Sequence, residues 1–136
     1  MLLARIRTDP GFEPGLTYQV AADLELFPSL VWGDPFVFLL YERLRRAEPK
    51  LSLYYFYTIT SDLWLDVAHY AAALATRVRS EEPLTTDFLS PLGDELGAAF
   101  KRNAKARALL GDALQLTSDW LHDNASCHAQ LTFYGA

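Results

Sequence analysis

Leu51-Ser52-Leu53-Tyr54-Tyr55-Phe56-Tyr57-Thr58-Ile59-Thr60 is the stretch on which the fold class turns. Leu51, Leu53, Tyr55, Tyr57 and Ile59 fall on one alternate face, with Ser52, Tyr54, Phe56, Thr58 and Thr60 opposite. Aromatic and β-branched residues at period two suit a strand. A strand without partners is not stable in water, however. If no other segment pairs with it, the same residues become the front of a long helix. Directly downstream, Thr60 or Ser61 can cap a helix running to about Arg79. Its apolar face is Leu63, Val67, Tyr70, Ala71, Leu74 and Val78, and its polar face carries Asp62, Asp66, His69, Thr76 and Arg77.

Upstream, Asp34-Pro35 is an N-cap followed by a residue suited to the first helical position. A helix is predicted from there to Ala47, with a core stripe of Phe36, Leu39, Leu40, Leu44 and Ala47. Val37, Phe38 and Tyr41 add apolar surface beside that stripe, so the first two turns are expected to be covered on more than one side. Leu16–Phe27 reads either way. The strand template fits more of its residues, while Leu16, Val20, Leu24 and Phe27 also stand at helical spacing before Pro28. Ser80–Pro83 is a turn, and Ser90-Pro91 opens a further helix in which Asp94 and Glu95 precede Lys101, Arg102, Lys105 and Arg107, the order favoured by the helix dipole. Gly111-Asp112 breaks that helix and starts another, with Ala113, Leu114, Thr117, Trp120 and Leu121 on one face. Beyond Asn124 there is little periodicity.

With 136 residues the chain fits one domain, residues 1–136. A hydrophobic share of 51% against 21% charged excludes a disordered chain. The single cysteine, Cys127, has no internal disulfide partner, which fits a reducing compartment. Net charge is −5, which disfavours phosphate backbones and anionic membranes and leaves a cationic protein partner compatible. Uncharged runs such as Leu26–Gly33 and Leu51–Ser61 are too short to span a bilayer. The expected location is cytoplasmic.

One motif carries a resemblance. Glu25-Leu26-Phe27-Pro28-Ser29-Leu30-Val31-Trp32-Gly33-Asp34, followed by Phe38-Leu39, resembles a family of small bacterial immunity-like proteins with the pattern Glu-Leu-x-Pro-x-Leu-x-aromatic-Gly-Asp. Phe12-Glu13-Pro14 upstream and Ala108-Leu109-Leu110-Gly111 near the C-terminal end are further echoes. The resemblance implies an all-helical fold, with a helix before the motif, and a role as the neutralising partner of a secreted toxin. It brings no catalytic residues with it. Turn chemistry alone reads the motif as a helix–helix corner, with Pro28 closing one helix, Gly33 turning the chain and Asp34-Pro35 opening the next.

Reaction chemistry is thinly represented. His69, His122 and His128 could hold a metal only if they converge with one another or with Asp66 or Cys127. Neither HExxH nor Cys-x-x-Cys is present, and no glycine-rich phosphate loop occurs. Cys127 beside His128, or Ser118 with His122, would need a geometry that sequence spacing does not supply. Acidic residues stand out more. Glu81, Glu82, Asp87, Asp94 and Glu95 occur without an intervening base, and from Ala108 onward there are Asp112, Asp119 and Asp123 and no Lys or Arg.

These readings combine into an all-α array of five or six helices, with residues 51–60 as the place where a strand would make it α+β. The expected function is non-catalytic protein binding through Glu81, Glu82, Asp87, Asp94, Glu95 and Trp120, with Trp32 and Tyr54 as further aromatic anchors. The expected partner is a basic toxin domain, with no cofactor, nucleic acid or membrane involved. A metal-dependent hydrolase using His69, His122 and His128 is the alternative. A self-associating subunit, such as a homodimer buried through Phe36–Tyr41, is a third reading.

Overall fold

The aromatic stretch does find a partner over Phe56–Thr60, and it comes from the far end of the chain. In the computed structural model, residues 3–7, 29–33, 36–51, 56–80 and 93–134 are described. They form, in chain order, β1 (Leu3–Arg7), β2 (Ser29–Gly33), α1 (Phe36–Ala47), β3 (Phe56–Thr60), α2 (Ser61–Arg79), α3 (Asp94–Arg102), α4 (Ala104–Cys127) and β4 (Gln130–Tyr134). The strands make one antiparallel sheet in the order β2-β1-β4-β3. β4 lies between β1 and β3, placing Phe133 opposite both Ile6 and Tyr57, and Leu131 opposite Ile59.

Most of the described residues are helical, but the all-α expectation is corrected to helices on a small sheet. The described helices number four, not five or six. The tail beyond Asn124 continues as helix to Cys127 and then becomes β4. Leu131, Thr132 and Phe133 are all fully buried there, so both faces of the strand are covered and polar–apolar alternation is lost. Ser29–Gly33 is a strand paired with β1, so the motif is a strand leading towards α1 and not a helix–helix corner. Leu16–Phe27, Pro28 and Asp34-Pro35 lie outside the described residues.

Helix α2 has the expected bounds, with Thr60 at its N-cap in extended conformation. Its buried face is Trp64, Val67, Ala68, Ala71, Leu74, Ala75 and Val78. That stripe packs along α4, which buries Leu110, Gly111, Leu114, Thr117, Ser118, Leu121 and Ala125. This is the most extensive packing in the molecule. α4 runs straight through Gly111, contrary to the predicted break. A Cβ there would come within 2.9 Å of Arg79 Cγ and Nε, so the bare glycine lets the end of α2 lie against α4. Glycine costs a helix interior roughly 1 kcal/mol, a local cost that the continuous helix carries. The real break comes earlier, at Asn103, whose side chain accepts a hydrogen bond from the Ala106 amide and caps α4. α3 correspondingly starts at Asp94, after Gly93 with φ of 89°.

The N-terminal end of α2 is stitched to β4. The Ser61 amide donates to the Ala129 carbonyl at 2.9 Å, and the fully buried Trp64 Nε1–H donates to the Leu131 carbonyl at 3.0 Å. α1 covers the other side of α2. Leu39, Leu40 and Leu44 are buried as expected, while Ala47 is exposed. Arg43 grips both carboxylate oxygens of Asp66 at 2.9 and 3.0 Å and stacks over Tyr70 at 5.1 Å. Arg43's hydrogen bonds hold the Asp66 carboxyl below its usual range against an opposing desolvation effect.

Two stability outcomes follow from these contacts. Trp64→Phe keeps an aromatic ring but orphans a buried carbonyl, so it should cost about 1–3 kcal/mol, read as a lower urea midpoint. Asp66 ionises more readily folded than unfolded, so its contribution is present at neutral pH and lost as pH falls below about 4. Both partners are over a third exposed, which limits the pair to about 0.5–1 kcal/mol. Asp66→Asn should therefore lower stability at pH 7, and its deficit should vanish in acid denaturation series near pH 2.

Candidate functional site

Because α4 is a single helix, residues seven apart along it share a side, about 10.5 Å apart along the axis. Leu109 and Leu116 are such a pair, and they are 62% and 64% exposed. They are the large apolar side chains left in solvent among the described residues. Asp112, Asp119 and Asp123 are exposed on the same outward half of the helix. Opposite, Leu110, Leu114 and Leu121 are buried against α2. The outward face of α4 is thus an exposed leucine pair set among aspartates.

The aspartates differ in what they touch. Asp112 accepts a hydrogen bond from Arg79 Nη2 at 2.8 Å, a pair open to solvent on both sides. Asp119 accepts from Gln115 Nε2 at 2.9 Å, which leaves its charge unneutralised. Asp123 lies 3.9 Å from His122 Nδ1. With no Lys or Arg from Ala108 onward, the C-terminal half of this helix carries net negative charge.

The other expected partner-binding residues are dispersed. Asp94 and Glu95 are exposed in the first turn of α3, where they complement its positive end. Trp120 is half-buried and packs on the core beside the leucine pair. Glu81, Glu82, Asp87 and Tyr54 lie outside the described residues, and Trp32 is placed only as a β2 position opposite Ala4. Of the apolar residues Phe36–Tyr41, Leu39 and Leu40 are buried and Phe38 and Tyr41 are half-buried against the core.

The structure does not gather the reactive residues. His69 is exposed on α2, and His122 and His128 are exposed at the C-terminal end of α4. Among the described residues, no three His, Cys, Asp or Glu side chains could hold a metal ion together. Asp66 is taken by Arg43 rather than paired with His69. Ser118 is buried while His122 is exposed, so the two diverge. Cys127 is an exposed free thiol, and the adjacent His128 turns Nδ1 to the Asn124 carbonyl at 2.9 Å.

The basic residues Lys101, Arg102, Lys105 and Arg107, expected on one helix, divide between two. Lys101 and Arg102 close α3, whereas Lys105 and Arg107 sit in the first turn of α4, the unfavourable end of its dipole. Arg107 compensates by donating Nη1–H bonds to the carbonyls of Phe100 and Lys101, the exposed end of α3. No helix among the described residues is long and apolar enough to cross a membrane. Leu109 and Leu116 escape sequence reading because a break at Gly111 places them on different helices. Read as one unbroken 3.6-residue pattern, positions 109 and 116 fall opposite 110, 114 and 121, and that was the available signal. Compared with known protein families, curated proteins and solved structures, the chain matches none.

Proposed function

We propose that this chain is a non-catalytic cytoplasmic protein-binding protein that meets a basic partner through the outward face of α4. The observation that carries this reading is the exposure of Leu109 and Leu116 within an aspartate-lined, base-free helix half. Exposed leucines on a helix that is otherwise the core's main element gain nothing from solvent, and burial would favour association by about 1.5–3 kcal/mol for each side chain. The aspartates would steer a cationic surface towards them and raise the association rate. The motif resemblance adds a biological role: an immunity protein that neutralises a cognate bacterial toxin, with Trp120 as the aromatic anchor beside the leucines.

The test is binding to the protein encoded by the adjacent gene, followed by stopped-flow association and dissociation. Asp119→Lys with Asp123→Lys should slow association about tenfold or more at low salt, with the difference shrinking as salt is raised. Leu116→Asp should speed dissociation while leaving the unfolding midpoint of the free protein within about 0.5 kcal/mol of wild type. Absence of a complex, or rates indifferent to both changes, would contradict the proposal.

A further inference from the structure

The N-terminal end of α4 carries charge opposite to that of its later turns. The C-terminal end of α2, the C-terminal end of α3 and the N-terminal end of α4 meet there. They bring Arg77, Arg79, Lys101, Arg102, Lys105 and Arg107, half of the chain's 12 basic residues, to one side. Between α2 and α4 lies a cleft of about 220 Å³, lined by Val78, Arg79, Ser80, Ala104, Arg107 and Ala108. That volume equals roughly seven waters at about 30 Å³ each, ample for a tetrahedral oxyanion and part of a substituent.

Both arginines are held in place by contacts that leave donors over. Arg107 commits Nη1 to the Phe100 and Lys101 carbonyls, which fixes its guanidinium plane at the cleft. Among the described residues no carboxylate pairs with Arg107. Arg79 commits Nη2 to Asp112, which does not line the cleft, and its stem lies across Gly111, where any Cβ would collide with it. Arg79 lines the cleft together with Arg107. Guanidinium forks match the spacing of oxygens on a phosphate, and the positive end of α4, reaching the cleft through Ala104, adds to the field.

We propose that this cleft binds a phosphate-class oxyanion between Arg79 and Arg107, with Gly111 positioning the Arg79 side chain. The site touches the acidic face of α4 through the Arg79–Asp112 pair. Arg107 has no carboxylate partner among the described residues, and the one ion pair of Arg79, to Asp112, is open to solvent on both sides.

Thermal unfolding of the full chain with inorganic phosphate, at ionic strength matched by chloride, tests the site. Phosphate should raise the midpoint saturably, because a ligand that binds only the folded state stabilises it by mass action. Arg79→Gln and Arg107→Gln should each weaken the apparent affinity about tenfold or more, the loss expected for one charge-assisted contact. Should Arg107→Gln fail to fold, Arg79→Gln and Gly111→Ala keep the test open. Gly111→Ala removes no charge, yet should also weaken phosphate binding by displacing Arg79. A shift no larger than that from chloride, or one equally produced by acetate, would overturn the proposal. So would phosphate binding unchanged in both Arg79→Gln and Gly111→Ala.

Discussion

Packing of α2 along α4 organises everything else in this chain. Each helix buries a stripe at three- and four-residue spacing, and small residues on both sides (Ala68, Ala71, Ala75 and Gly111) let the stripes close. At one end, Trp64 and Ser61 fasten α2 to the backbone around β4. At the other, Arg79 lies over Gly111 and reaches Asp112. The sheet depends on this pairing. β4 is brought between β1 and β3 only because α4 delivers the end of the chain back to the start of α2. Burial of Leu131, Thr132 and Phe133 then covers the sheet's central strand.

The same pairing explains the distribution of charge. α4 is the long rod whose inner side is consumed by α2, so its outer side is the surface available along most of its length. Its first turn gathers cations where three helix ends meet, and its later turns carry only acids. Such a division gives α4 a basic start and an acidic remainder. Leucines 109 and 116 stand on the helix that joins them, exposed where a stability-driven sequence would place polar groups.

Local signals were legible where they acted locally. The apolar period of α2 gave bounds that match the structure, and α1 ends at Ala47 as expected, because caps and 3.6-residue repeats act within a few residues. The strand at Phe56–Thr60 could be read only conditionally, since the strand that pairs with it lies seventy or more positions away and is five residues long with both faces buried. Gly111 looked like a helix stop because its local cost is visible in sequence, whereas the close approach of Arg79 is not. Asn103 was missed because the flanking Lys and Arg look like an uninterrupted solvated helix face. Of the candidate surface, the aspartates could be counted directly, while the leucines became visible only once α4 was known to be continuous.

Native-state amide hydrogen exchange measures the central claim directly, because it reports the free energy at which each element opens. If α2, α4 and β4 form one body, their slowest amides share a single opening free energy equal to that of global unfolding, with α3 exchanging at a lower one. Amides of β4 that open well below those of α2 and α4 would show that the sheet is not held by the helix pair, and the account would fail at its foundation.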